Sequence, residues 1–165
     1  GGGIAIDGRP HHGRNNNAAD WGHSPLPWAT EEELPGPSCW CGLNGCIETW
    51  CSGLAFQAQY EEAAGERLHG SEIVALARAG DSLAARLLDD YIDRVARGLA
   101  VIVNAMDPDI FVFGGGMSNI DELYDRLPAR ILQYTFTTVF TTPIVKSTHG
   151  DSSGVRGAAW LWAEE

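Results

Sequence analysis

Three cysteines, Cys39, Cys41 and Cys46, fall within eight residues in a C-x-C-x4-C arrangement, and His23 lies sixteen residues before the first of them. Gly42 and Gly45 are interleaved with the sulfurs and let the backbone fold back, so that one loop aims all three at a common centre. Three thiolates and one imidazole make a closed tetrahedral zinc site of the structural kind. The competing arrangements are a disulfide, strained between cysteines two apart, and three unrelated buried thiols. Spacing, glycines and histidine agree on zinc held by His23, Cys39, Cys41 and Cys46.

Two carboxylates flank this set. Glu48 follows Cys46 by two residues, and Asp20 precedes His23 by three in Asp20-Trp21-Gly22-His23. A metal that draws the two segments together brings both acids beside the imidazole. Such a group is a ligand set for sugar hydroxyls, which donate and accept in fixed geometry. The plainer alternative for each acid is a solvated loop residue.

The elements that must position these residues form an α/β pattern. Ile4 to Ile6 reads as a strand, Asp7-Gly8 as a hairpin turn, and Arg9 to His12 as the return strand, with His11 and His12 exposed. Residues 13–52 show no sustained period and read as a long irregular segment organised by metal and pocket. Within it Glu31-Glu32-Glu33 is expected to be a solvated charge run. Ser52 is placed to cap a helix through Phe56 and Tyr60, and Ser71 to cap another from Glu72 to Arg78. The main helix runs from Asp81 or Ser82 to Met106, its apolar stripe Leu83, Leu87, Tyr91, Val95, Leu99 keeping steps of four. Asp107-Pro108 ends it.

Asp109 to Phe113 reads as a buried strand, followed by Gly114-Gly115-Gly116 and by Asn119 with Glu122 at capping-box spacing. Strand, glycine turn and helix start form a cradle for phosphate or nucleotide, or else a plain tight turn. Pro128 is expected to break the next helix after Leu127. Pro143 to Lys146 reads as the last strand, and Val155 to Trp162 as an apolar closing helix.

The chain has 165 residues, enough for one domain with a real core. Eleven basic against twenty-two acidic side chains give a formal net charge of −11, which disfavours nucleic acid as a partner. No apolar run approaches ~20 residues, so no membrane span is expected. Three of the four cysteines as metal ligands fit a reducing, cytoplasmic setting, with Cys51 left for core packing.

On these residues the chain resembles the ROK family of sugar kinases and sugar-responsive repressors, in the actin-like ATPase (ribonuclease H-like) superfamily. The most specific stretch is Gly22-His23 with Cys39-Trp40-Cys41-Gly42-Leu43-Asn44-Gly45-Cys46-Ile47-Glu48. The match runs over all 165 residues as a C-terminal lobe, a mixed sheet with flanking helices and a zinc-organised loop over 13–52. Pro25-Leu26-Pro27-Trp28 and His149 to Trp160 look like bacterial fructokinases of the manno(fructo)kinase type. The resemblance implies sugar contacts from Asp20, His23 and Glu48. It makes Gly1, Gly2 and Gly3 the end of a phosphate loop and sets Gly114, Gly115 and Gly116 beside the adenosine. The family has Glu where this chain has Asp20, and usually Gly where it has Ala19 and Asn16.

By the same resemblance the expected activity is that of an ATP-dependent kinase, with Mg, that phosphorylates a hexose, fructose first. A sugar-sensing repressor and a non-catalytic zinc-stabilised association module are the rival readings. The general base and first phosphate loop are expected on an N-terminal lobe outside this sequence, so no catalytic residue is assigned here. The terminal helix, 155–163, is expected to pack on that lobe; without it Trp160 and Trp162 would favour a homo-oligomer. The 165 residues alone are expected to show no sugar-dependent ATP turnover. Turnover by purified fragment, free of host kinases, would contradict this.

Overall fold

Asp7 and Gly8 both take positive φ, 53° and 72°, as a type I′ turn requires, and fold β1 (Ala5–Ile6) antiparallel onto β2 (Arg9–Pro10). From there to residue 46 of the computed structural model, which describes residues 1–160, regular structure is confined to two 3-10 turns, Trp21–His23 and Glu31–Glu33. Helices α1 (Ile47–Cys51), α2 (Gly53–Ala64), α3 (Gly70–Arg78) and α4 (Ser82–Met106) follow. Then come β3 (Phe111–Phe113), α5 (Asp121–Ile131), β4 (Ile144–Lys146) and α6 (Ser153–Trp160). β3 and β4 pair in parallel, Val112 opposite Val145, across the α5 crossover.

Helix α4 is the spine. The Asp81 carboxylate accepts from the Ala84 N–H at 2.8 Å to start it, and Asp107 turns left-handed (φ 46°) to stop it before Pro108. Its stripe Leu87, Tyr91, Val95, Leu99 and Val103 is buried, and α1, α2, α3 and α5 all pack against it. Cys51 is half-buried in this core as expected, its carbonyl accepting from Tyr91 Oη at 3.1 Å.

Several local expectations give way to tertiary contacts. His69, not Ser71, caps α3: its backbone N–H donates to Glu72 Oε2 at 2.7 Å in a capping box. Glu122 likewise caps nothing, because its carboxylate is taken by Arg78 at 2.7 Å, and α5 starts after Ile120 without a side-chain cap. Pro128 does not end α5. Leu127 and Ile131 are fully buried on either side of it, and burial of both outweighs the single helical hydrogen bond that proline forfeits. β3 is open on one side, with Val112 59% exposed, because only alternate residues Phe111 and Phe113 face the core. In α6, Val155, Ala158 and Ala159 are exposed; the expectation for the side chain of Trp160, and for Trp162 altogether, lies outside what the structure describes.

The run Glu31-Glu32-Glu33 is solvated only in its first two residues. Glu33 is buried, with Oε1 accepting from Arg94 Nε and Arg97 Nη2 at 2.7 Å each and Oε2 from Arg97 Nη1 at 2.8 Å. Burial alone would raise this carboxyl. The hydrogen bonds from Arg97, Arg94 and the Thr30 N–H, with the Arg97 charge, outweigh it and hold the group at about 2 against an ordinary 4.5. A carboxyl held low contributes stability that is complete above the unfolded value and is lost as pH falls through the folded one. Glu33→Gln is therefore expected to cost about 3 kcal/mol near neutral pH. It is also expected to flatten the acid-denaturation limb between pH 4.5 and about 2, read from urea midpoints across that range.

Candidate metal centre

The loop after Pro35 is closed by backbone pairs that the glycines permit. Cys39 N–H donates to the Leu43 carbonyl at 2.8 Å and Gly45 N–H to the Pro37 carbonyl at 2.9 Å. Gly45 sits at φ 68°, and a side chain there would lie 2.8 Å from the Pro35 carbonyl, so the turn closes only on glycine. The 21–23 turn is stitched alongside: Leu26 N–H reaches the Gly45 carbonyl and Ile47 N–H the Ser24 carbonyl, both at 2.9 Å.

These pairs bring together the four residues expected from spacing. The ligating atoms of His23, Cys39, Cys41 and Cys46 all lie within 4.8 Å of one another. His23 Nδ1 is 3.5 Å from Cys39 Sγ, and Cys41 Sγ is 3.6 Å from Cys46 Sγ. A tetrahedral zinc with bonds of about 2.3 Å to sulfur needs sulfurs about 3.8 Å apart, so the donor set fits such an ion. All four cysteines are free thiols, not disulfides. Burial pushes the Cys46 thiol up to about 12, whereas the Leu43 N–H, with the neighbouring thiols and His23, draws Cys41 down to about 7.

The imidazole has a second face. His23 Nε2 lies 3.7 Å from Glu48 Oε2, and Gly22 packs beside the same Glu48 side chain. Asp20 starts the same turn, its carbonyl accepting from His23 N–H at 3.1 Å. Its exposed carboxylate makes no hydrogen bond to His23 or Glu48 among the described residues. The two positions where the family usually carries glycine are both left-handed here, Asn16 at φ 54° and Ala19 at φ 74°. Asparagine tolerates that conformation, while Ala19 holds about 1–2 kcal/mol of strain next to Asp20.

The expected nucleotide residues form two separate groups. Gly1, Gly2 and Gly3 are exposed, and a side chain at Gly2 would lie 2.9 Å from the Ala19 carbonyl, so this stretch backs onto the 21–23 turn. Gly114, Gly115 and Gly116 follow β3, with Gly115 at φ 77° and its carbonyl accepting from Ser118 Oγ at 2.7 Å. Gly114 abuts Gly150 and Ser153 at the start of α6.

Three contributors were not found from spacing. Arg97 interrupts the apolar Val95–Val103 face of α4, and a lone guanidinium there was the signal for a buried partner. It also donates to the Trp28 carbonyl at 2.9 Å, fixing the path from His23 to Cys39. Gly98, one residue on, lets Trp21 and Ile47 seat on α4; a side chain there would meet the Trp21 ring at 3.0 Å. Trp40, between two of the cysteines, donates from Nε1 to Glu48 Oε1 at 3.1 Å.

Comparison with known proteins agrees with this geometry. A family model described as "ROK family" matches residues 1–165. The N-acetyl-D-glucosamine kinase of Pectobacterium carotovorum subsp. carotovorum (strain PC1) is 39% identical over 165 residues, covering 98% of this chain and 54% of that protein. A ROK hexokinase structure from Thermus thermophilus superposes with a TM-score of 0.80 at 33% identity, over 96% of this chain and 52% of its own. A ROK family glucokinase from Streptomyces griseus, in complex with glucose and AMPPNP, also gives 0.80, at 28% identity over 98% and 56%. The chain thus spans about half the length of the proteins it matches.

Binding free energy at a closed four-ligand site is folding free energy. Purified protein is expected to carry close to one zinc per chain by elemental analysis. Cys46→Ser is expected to lose that zinc together with at least about 3 kcal/mol of stability. Metal-free wild type with an unchanged melting curve would contradict this.

Proposed function

Since the chain belongs to the ROK family, we propose that it forms the sugar-binding part of an ATP-dependent hexose kinase. Zinc is held by His23, Cys39, Cys41 and Cys46, and sugar hydroxyls by Asp20, His23 and Glu48. The observation that carries this reading is the shared imidazole: Nδ1 faces the thiols while Nε2 faces Glu48 at 3.7 Å. A ligand bond at Nδ1 fixes the ring plane and leaves Nε2–H as an aimed donor. Four protein ligands leave no open position on the ion, so its part is to shape the pocket and not to polarise substrate.

His23 and Glu48 together offer one donor and one acceptor to neighbouring hydroxyls of a ring. Asp20 adds a second carboxylate from the same turn. In this reading the hydroxyl loses its proton to a base and attacks the γ-phosphate of Mg-ATP, the bond to the β–γ bridging oxygen breaks and ADP leaves, and the rate comes from positioning and charge stabilisation. Gly114, Gly115 and Gly116 take the nucleotide side, and Gly1, Gly2 and Gly3 the phosphate side. The base lies outside these residues.

The substrate reading moves away from fructose. The relatives with 35–39% identity over 98% of the chain are named N-acetyl-D-glucosamine kinases, and the Streptomyces griseus protein was solved with glucose. These names support an aldohexose, with N-acetyl-D-glucosamine first. Steady-state assays of the full-length protein with ATP and N-acetyl-D-glucosamine, glucose, mannose or fructose test this. N-acetyl-D-glucosamine is expected to give the highest kcat/KM, and fructose a value at least about tenfold lower. Glu48→Gln is expected to lower kcat/KM for the sugar about a hundredfold with zinc content unchanged. Fructose as the best substrate would overturn the aldohexose assignment, and no hexose turnover would overturn the kinase reading.

A further inference from the structure

Trp40 has no part in the reading above, yet it touches both members of the acid–imidazole pair. Its Nε1–H donates to Glu48 Oε1 at 3.1 Å, and its ring meets the His23 ring edge-on, 4.8 Å between centroids. Cys39 and Cys41 flank it in sequence, so any metal they hold fixes its backbone on both sides. Glu48 is left with one oxygen on the indole and the other turned to His23 Nε2.

An indole carries enough apolar area that packing normally hides it. Trp40 is 80% exposed. Its N–H is engaged by Glu48, so the surface it offers to solvent is carbon, directly beside the polar pair. A pyranose ring has complementary chemistry: hydroxyls around its edge and C–H bonds on its faces. A carboxylate and imidazole recognise the edge; an aromatic face recognises the rest.

We propose that Trp40 is a positioning and specificity residue of the sugar site. Its N–H orients the Glu48 carboxylate, and its open ring face packs against the C–H face of the hexose. The role rests on the sugar-kinase reading. It also accounts for how a closed metal site would bear on substrate: Cys39 and Cys41, which would hold the ion, flank the indole, and the indole orients Glu48. Presetting the carboxylate removes a rotamer search from the binding step.

Two variants of the full-length protein test this. Trp40→Phe keeps a ring and loses the donor; Trp40→Ala loses both. With N-acetyl-D-glucosamine as the probe, Trp40→Phe is expected to raise the sugar KM about tenfold, the factor that one hydrogen bond to a carboxylate carries. Trp40→Ala is expected to raise it further, to about a hundredfold. The KM for ATP and the zinc content stay at wild-type values in both, and calorimetric sugar binding without ATP follows the same order. Wild-type sugar KM and affinity in both variants would overturn the proposal, as would loss of zinc in step with loss of sugar affinity, which marks a purely structural role. Wild-type protein that neither binds nor phosphorylates any hexose would remove the kinase reading itself, so the two failures are distinct.

Discussion

The Glu33 carboxylate, buried between Arg94 and Arg97, is the contact on which the irregular segment of the molecule depends. Residues 13–46 have almost no regular hydrogen-bond ladder, and a chain of that kind stays in one place only if a few strong contacts hold it. Arg97 supplies several at once. Its planar fork engages both oxygens of Glu33 and still reaches the Trp28 carbonyl, which a lysine could not do. The pair is buried, so its members are indispensable to each other: either one alone would be an uncompensated charge in the interior. Arg94 closes the arrangement by lying over the Trp50 ring at 4.5 Å.

Because the anchor is on α4, the geometry of the cysteine loop is inherited from the longest helix of the fold. The same two turns of that helix carry Gly98, where Trp21 and Ile47 seat. Trp21 belongs to the turn that presents His23, and Ile47 begins the helix that presents Glu48. The two halves of the acid–imidazole pair therefore rest on one backing. On its other side α4 is tied to α5 through Asp89, which takes Arg126 and Arg130, and to the turn after α5 through Asp93, which accepts from Tyr134 Oη at 3.0 Å. Two side chains referred to one rod keep a closer mutual geometry than two referred to separate loops.

Local strain lies beside the 21–23 turn. Ala19 sits in a left-handed conformation immediately before Asp20, and Asn16 does the same three residues earlier. Neither strains the core. Both shape the approach to the 21–23 turn, and both persist because that turn is held from below by α1 and by α4 at Gly98.

Much of this was legible in the sequence. The convergence of His23, Cys39, Cys41 and Cys46 followed from spacing and glycines, α4 from its period and from Asp81 and Pro108, and the β1–β2 hairpin from Asp7-Gly8, because each is decided largely by local sequence. Family membership followed from the same short motifs. What only the tertiary structure decided concerns groups whose partners are distant in the chain. Glu33 looks no different from Glu31 and Glu32 until Arg97, 64 positions away, is beside it. Glu122 has capping-box spacing but is claimed by Arg78, 44 positions earlier, and Pro128 survives inside α5 because Leu127 and Ile131 are buried. Trp40 reads as a spacer between two cysteines, and its contact with Glu48 exists only once the loop has closed. Local patterns determine which elements form and where a metal can sit. Which charges are buried, and which side chains meet at the site, is settled by packing energies that no short stretch of sequence contains.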